Sequence, residues 1–152
     1  MAEGGDATGA VVGADGAGAT GSAPGEDFVM AFDHTNLSTT PPPTEVNCGE
    51  PMTMVGKIVD YEPPHLLSYE WPDFDEPSKV IIRLEPDGDH TRLHLTHERL
   101  EKTEHRLGAA AGWHAHLDLL VDLTNDLPAR DFWLHYNALK AKYTQSHESQ
   151  LS

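Results

Sequence analysis

Three histidines, His90, His94 and His97, fall within HTRLHLTHERL (residues 90–100), and two more, His114 and His116, within HAH. Imidazoles gathered in this way could ligate a metal or move a proton. Their spacing argues against the metal. The first segment alternates like a β-strand, so residues 90 and 94 share one face and residue 97 takes the other; three ligands cannot converge on one ion from that arrangement. On a helix, residues two apart diverge by about 200°, which separates His114 from His116. Asp73, Asp75 and Glu76 form an acidic run without the spacing of a calcium loop. No nucleophile–base pair, phosphate-binding loop or metal motif is visible. The sequence therefore predicts no metal site, no cofactor and no catalytic residue.

His97 stands apart from the other histidines because its strand parity places it with Leu93 and Leu95. A polar group on an apolar face can fix the orientation of a ligand, or it can simply bond a neighbouring carbonyl. The sequence leaves both open. The elements that must position it are strands with turn chemistry between them. DFVMAFDH is a short strand, and NLSTTPPPTEVNCGEP is a loop because three consecutive prolines exclude helix and central strand. MTMVGKIVDYE stops at Pro63 and Pro64, HLLSYEW stops at Pro72, SKVIIRLE stops at PDGD, and TRLHLTHERL completes the run. Such short connections predict an antiparallel meander. Val80, Ile82 and Leu84 share a face, with Arg83 and Glu85 opposite.

One apolar sheet face requires a cover, and an amphipathic helix follows. In GWHAHLDLLVDLTND, residues Trp113, Leu117, Leu120, Val121, Leu123 and Leu127 form an apolar arc at 100° per residue, with His114, Asp118, Asp122, Asn125 and Asp126 opposite. Pro128 separates it from a second helix in ARDFWLHYNALKAKY, where Phe132, Tyr136, Leu139 and Tyr143 recur at helical spacing.

Composition sets outer limits. The 152 residues suit one domain. A formal charge of −15 would repel nucleic acid and anionic membranes alike. The single cysteine, Cys48, excludes an intrachain disulfide and fits a cytoplasmic protein; there is no signal-peptide pattern and no membrane-length apolar run. Residues 1–26 contain 8 Gly and 7 Ala with too little apolar surface to fold. The expected organisation is a disordered tail over 1–26, one domain over 27–145 and a disordered C-terminus over 146–152.

The segments GKIVDYEPPHLLSYEW, IIRLEPDGDHTRLHLTHERL and GWHAHLDLL, in this order, resemble the START-like SRPBCC superfamily. Within it, they resemble the bacterial group named after the activator of the ninety-kilodalton heat-shock chaperone's ATPase. The resemblance covers residues 28–143. It implies an α+β helix-grip fold: a curved antiparallel sheet of about five strands around a long C-terminal helix, followed by a short terminal helix, with an apolar cavity between sheet and helix. Members of the group begin with a strand and two short helices that have no counterpart here, so the domain is expected to be N-terminally incomplete, with the strand of residues 91–98 left as an edge open to self-association. The implied cavity would be lined by Tyr69, Trp71, Ile82, Leu84, Leu93, Leu95, His97, Trp113, His116, Leu117, Leu120 and Thr124. The leading expectation is a non-catalytic domain that binds a small apolar or amphipathic ligand. A cyclase-like or dehydratase-like enzyme using His97 beside Tyr61 or Tyr69, and a chaperone-associated interaction domain, are the alternatives.

Overall fold

The computed structural model describes residues 23–44, 46, 51–72 and 76–151. The expected tail therefore lies almost wholly outside the described residues, as do Cys48 and the acidic Asp73 and Asp75. The described chain forms two compact units, one of residues 23–31 and 53–100, the other of residues 32–52 and 101–151.

The first unit is the meander. Strands β1 (Asp27–Phe32), β2 (Met52–Glu62), β3 (Leu66–Trp71), β4 (Ser78–Asp87) and β5 (His90–Glu98) lie side by side in sequence order. Proline punctuation works as the sequence predicts: Pro63 and Pro64 turn β2 into β3, with the His65 amide donating to the Glu62 carbonyl at 2.8 Å. The β4–β5 connection is a two-residue loop, Gly88-Asp89, with Gly88 at φ +63°, the left-handed conformation that a primed hairpin turn requires. β4 runs two residues beyond its expected end, because Pro86, opposite Thr91, still fits a ladder this close to the turn.

Register fixes the faces. Tyr69 pairs with Val80, and Val80 with His97; Leu67, Ile82 and Leu95 form the next row, and Leu84 pairs with Leu93. The buried centre comprises Phe28, Met30, Ile58, Tyr69 and Val80, with the Phe28 and Tyr69 rings 4.6 Å apart. Gly56 is buried here because the Glu70 carbonyl crosses where a side chain would stand. Near the bulge at Ile58/Asp60, Asp60 accepts a hydrogen bond from the buried Ser68 hydroxyl and an ion pair from Lys79 at 3.4 Å. Burial falls away toward the β4–β5 hairpin: Val80 is fully buried, Ile82 and Leu84 are half-buried, and Leu93 is 37% exposed.

The second unit pairs helices α1 (Thr103–Thr124) and α2 (Phe132–Gln150). α1 begins nine residues before the expected Gly112, since nothing in EHRLGAAAG opposes helix strongly enough to stop it. It ends in a Schellman arrangement: Asp126 takes φ +54°, its amide donates to the Leu123 carbonyl, and the Leu127 amide donates to the Asp122 carbonyl at 2.9 Å. α2 continues to Gln150, through residues assigned on sequence to a disordered C-terminus, because no glycine or proline interrupts it. It has 19 residues, so the expected short terminal helix is nearly as long as α1.

The buried stripe of α1 is Ala111, Ala115, Leu119 and Asp122, not the leucine arc. Small residues let the α2 aromatics Phe132, Trp133 and Tyr136 approach closely, and these with Leu139 complete the core of the unit. Leu120, Val121, Leu123 and Leu127 remain about half exposed. Residues 33–44 run as a strap over this core, with Leu37 and, beyond them, Val46 packed on it. The strap is pinned to the start of α2. Asp131, the N-cap residue, accepts from the Leu134 amide at 3.0 Å, from the Ser38 hydroxyl, and from the Thr39 amide at 2.8 Å, while the Phe132 amide donates to the Leu37 carbonyl at 3.0 Å.

Candidate functional site

On the sheet unit, the expected site residues Tyr69, Trp71, Ile82, Leu84, Leu93, Leu95 and His97 share one face, as their pairings require. The face is largely apolar, and at one end β3, β4 and β5 bring Trp71, Ser78 and His97 together. His97 Nε2 and Ser78 Oγ are 2.8 Å apart, and the hydroxyl lies 3.4 Å from the Trp71 carbonyl. The indole and imidazole centroids are 5.7 Å apart, and Tyr69 stacks on Trp71 at 6.3 Å.

Burial controls the electrostatics of this corner. It lowers the pKa of His97 to about 4, so the imidazole is neutral at neutral pH. It also raises the Tyr69 phenol well above its usual value. Both groups are held in their uncharged forms, able to exchange hydrogen bonds but not charge. His94, on the opposite face, instead points to Glu85 at 3.5 Å. Tyr61, named on sequence as a possible helper of His97, is 38% exposed near the far end of β2.

The helical unit places its expected residues differently. Trp113 and Leu117 are half-buried. Leu120 is exposed. Thr124 is exposed too, and its hydroxyl donates back to the Leu120 carbonyl at 2.9 Å, the local bond that a threonine makes in a helix. His116 does not sit with the leucine arc. Its Nδ1 bonds the Gly112 carbonyl at 2.7 Å and its Nε2 faces His34 Nε2 at 3.2 Å, against Phe132.

Sequence reasoning missed His34 altogether, since its partner is 82 residues away and nothing in FDHTN marks it. It also missed a polar cluster between the helices. Arg130 makes a bidentate pair with the buried Asp122 (2.7 and 2.8 Å) and reaches Asp118 at 3.1 Å. His135 meets the same Asp118 oxygen at 2.7 Å, and His114 bonds the Tyr143 hydroxyl at 2.9 Å. Alternating helix faces predict exposure for Asp122; Arg130, supplied by the interhelix loop, is what allows its burial. Among the described residues no group of three or more His, Cys, Asp or Glu side chains could hold a metal ion, and no helix is long and apolar enough to cross a membrane.

Against known proteins, residues 26–125, which span the sheet and α1, match the family model described as Activator of Hsp90 ATPase homolog 1-like protein. A protein from Bordetella parapertussis, solved in solution by NMR, is similar in structure with a TM-score of 0.69 and 31% sequence identity. That likeness covers 81% of this chain and 66% of the Bordetella protein, so the chain spans just under two thirds of that relative's length. No curated protein matches the chain. The five-stranded antiparallel sheet followed by two helices has the element content and order of the α+β helix-grip class, and the chain belongs to the Activator of Hsp90 ATPase homolog 1-like family.

Proposed function

We propose that this chain is a non-catalytic binding domain whose sheet face takes a small, uncharged apolar or amphipathic molecule. The observation that carries the reading is a polar corner on a largely apolar face: Ser78 and His97, bonded at 2.8 Å beside Trp71. An apolar surface supplies affinity by area, and a few fixed polar groups supply orientation. A neutral imidazole and a neutral phenol favour an uncharged hydroxyl or carbonyl over a carboxylate. The same neutrality weighs against catalysis, because an imidazole whose conjugate acid has a pKa of about 4 is a weak base at neutral pH.

The test compares His97→Ala with His94→Ala, using a fluorescent apolar probe on both and mass spectrometry of small molecules that co-purify with the parent. Only His97→Ala should change probe affinity. Equal effects from the two variants, or a co-purifying molecule found chemically altered, would overturn the reading. A second reading follows from the family itself, whose name denotes an activator of a chaperone ATPase. It is tested by adding the chain to the chaperone and measuring ATP turnover.

A further inference from the structure

We propose that His34 and His116 form a two-coordinate site for a monovalent d10 metal ion, copper(I) or silver(I), within the helical unit. Three features of the pair support this. The first is its tautomer. His116 Nδ1 donates its proton to the Gly112 carbonyl at 2.7 Å, which leaves the lone pair on Nε2; a backbone carbonyl in this position is the usual outer partner of a ligating histidine. The second is convergence. His34 Nε2 stands 3.2 Å from that lone pair, although the two residues come from the strap and from α1. The third is the wall. The ring centroid of Phe132 lies 4.9 Å from that of His34 and 4.5 Å from that of His116, and the Trp133 centroid lies 5.2 Å from that of His34.

The wall selects the ion. Zinc requires three or four donor atoms, and the aromatic rings supply none, whereas monovalent d10 ions are satisfied by two nitrogens in line. Ring faces attract a cation, and one buried charge costs less than two. Imidazole nitrogen suits copper. The Asp33 carboxylate, adjacent to His34 and acting on its charge, provides partial compensation. With metal–nitrogen bonds of about 2 Å, a linear site needs its nitrogens about 4 Å apart. The observed 3.2 Å must therefore open by roughly 0.8 Å, and His34 can move because it sits in the strap and not in a helix.

Binding balances without redox chemistry. His34 now donates from Nε2 to His116; on binding, that proton relocates through solvent to His34 Nδ1, which bonds no other described residue, and none is released.

The test uses the full chain carrying Cys48→Ser, so that the thiol cannot take the ion. Silver(I) is titrated in chloride-free buffer at pH 7.5 by calorimetry, with long-range proton–nitrogen NMR of the imidazoles. One ion should bind with concerted shifts of Nε2 in both His34 and His116. His34→Gln and His116→Gln should each lose at least tenfold in affinity, whereas binding at methionine sulfur would survive both changes. Unmoved Nε2 signals at saturation, or unchanged affinity in both variants, would overturn the proposal. So would zinc(II) shifting the same two nitrogens as strongly as silver. If either variant fails to fold, the nitrogen shifts of the Cys48→Ser chain decide alone.

Discussion

Gly56→Ala is a one-carbon change whose cost can be worked from the sheet. A Cβ at residue 56 would stand 1.9 Å from the Glu70 carbonyl oxygen and 3.1 Å from its carbon. The obstacle is backbone, so no side-chain rotation relieves it. Carbon and carbonyl oxygen come no closer than about 3.3 Å even in favourable contacts, which requires β2 and β3 to part locally by roughly 1.4 Å. Interstrand hydrogen bonds of about 2.9 Å do not survive that stretch. Losing two at about 1 kcal/mol each, together with about 1–3 kcal/mol for overpacking, gives about 3–5 kcal/mol. Reduced freedom of the unfolded chain returns about 0.4–1 kcal/mol, leaving about 2–5 kcal/mol. At about 2–4 °C per kcal/mol for a chain of this size, the melting midpoint should fall by about 10 °C. Thermal unfolding followed by circular dichroism measures it. Gly108→Ala is the control, since its Cβ would meet only the Tyr136 hydroxyl at 3.9 Å, an ordinary contact inside a helix, and should stabilise slightly. A loss below about 1 kcal/mol for Gly56→Ala, well under the overpacking and hydrogen-bond costs combined, would refute the strand placement.

Acid should weaken the protein in two separate windows. His34 and His97 have folded-state pKa values lowered to about 4 by burial, so the unfolded chain binds the extra protons first; their contribution is complete above about pH 6.5 and is lost as pH falls toward 4. The carboxylates of Asp131 and Asp60 are held low by the hydroxyls of Ser38 and Ser68, and their contribution is lost only below about pH 4. Urea midpoints measured from pH 7.5 to 3 should show both declines, and His97→Gln should flatten the first; a flat profile from 6.5 to 4 would contradict the assigned burial. At the sheet edge, β5 is hydrogen-bonded to β4 and forms one margin of the sheet order. We expect self-association through residues 91–98 and fast amide exchange there in dilute monomer, checked by sedimentation with hydrogen exchange; a concentration-independent monomer with strong protection would exclude it.

The sheet was legible because its signals are local. Pro63, Pro64 and Gly88 mark turns whatever surrounds them, and alternation between turns then fixes parity, which put His97 with Leu95 and His94 opposite. How far burial extends along a face is not local. Leu84 and Leu93 continue the pattern of Val80 and His97, yet sit toward an open hairpin. In α1, leucine outweighs alanine in any reading of periodicity, while actual packing chose Ala111 and Ala115, because bulky Phe132 and Tyr136 need small partners. His116, expected beside Leu117 and Leu120 in the implied cavity, instead meets His34. Asp122 appeared to be a surface acid until Arg130, from a loop the periodicity does not describe, neutralised it.

The bonds between the strap and the start of α2 join residues 91 to 95 positions apart, Ser38 and Thr39 to Asp131 and Trp133 among them. The meander, by contrast, pairs each strand only with its neighbours in sequence. During synthesis, every partner that β2 to β5 need has emerged by Glu98, before either helix is made. The strap, translated before β2, has no Asp131 to close upon until the whole sheet has been produced. Closing so long a loop costs little more entropy than closing one of half its length, but it imposes an order in time: the amino-terminal strap is among the first of the described segments to be made and among the last to be fastened.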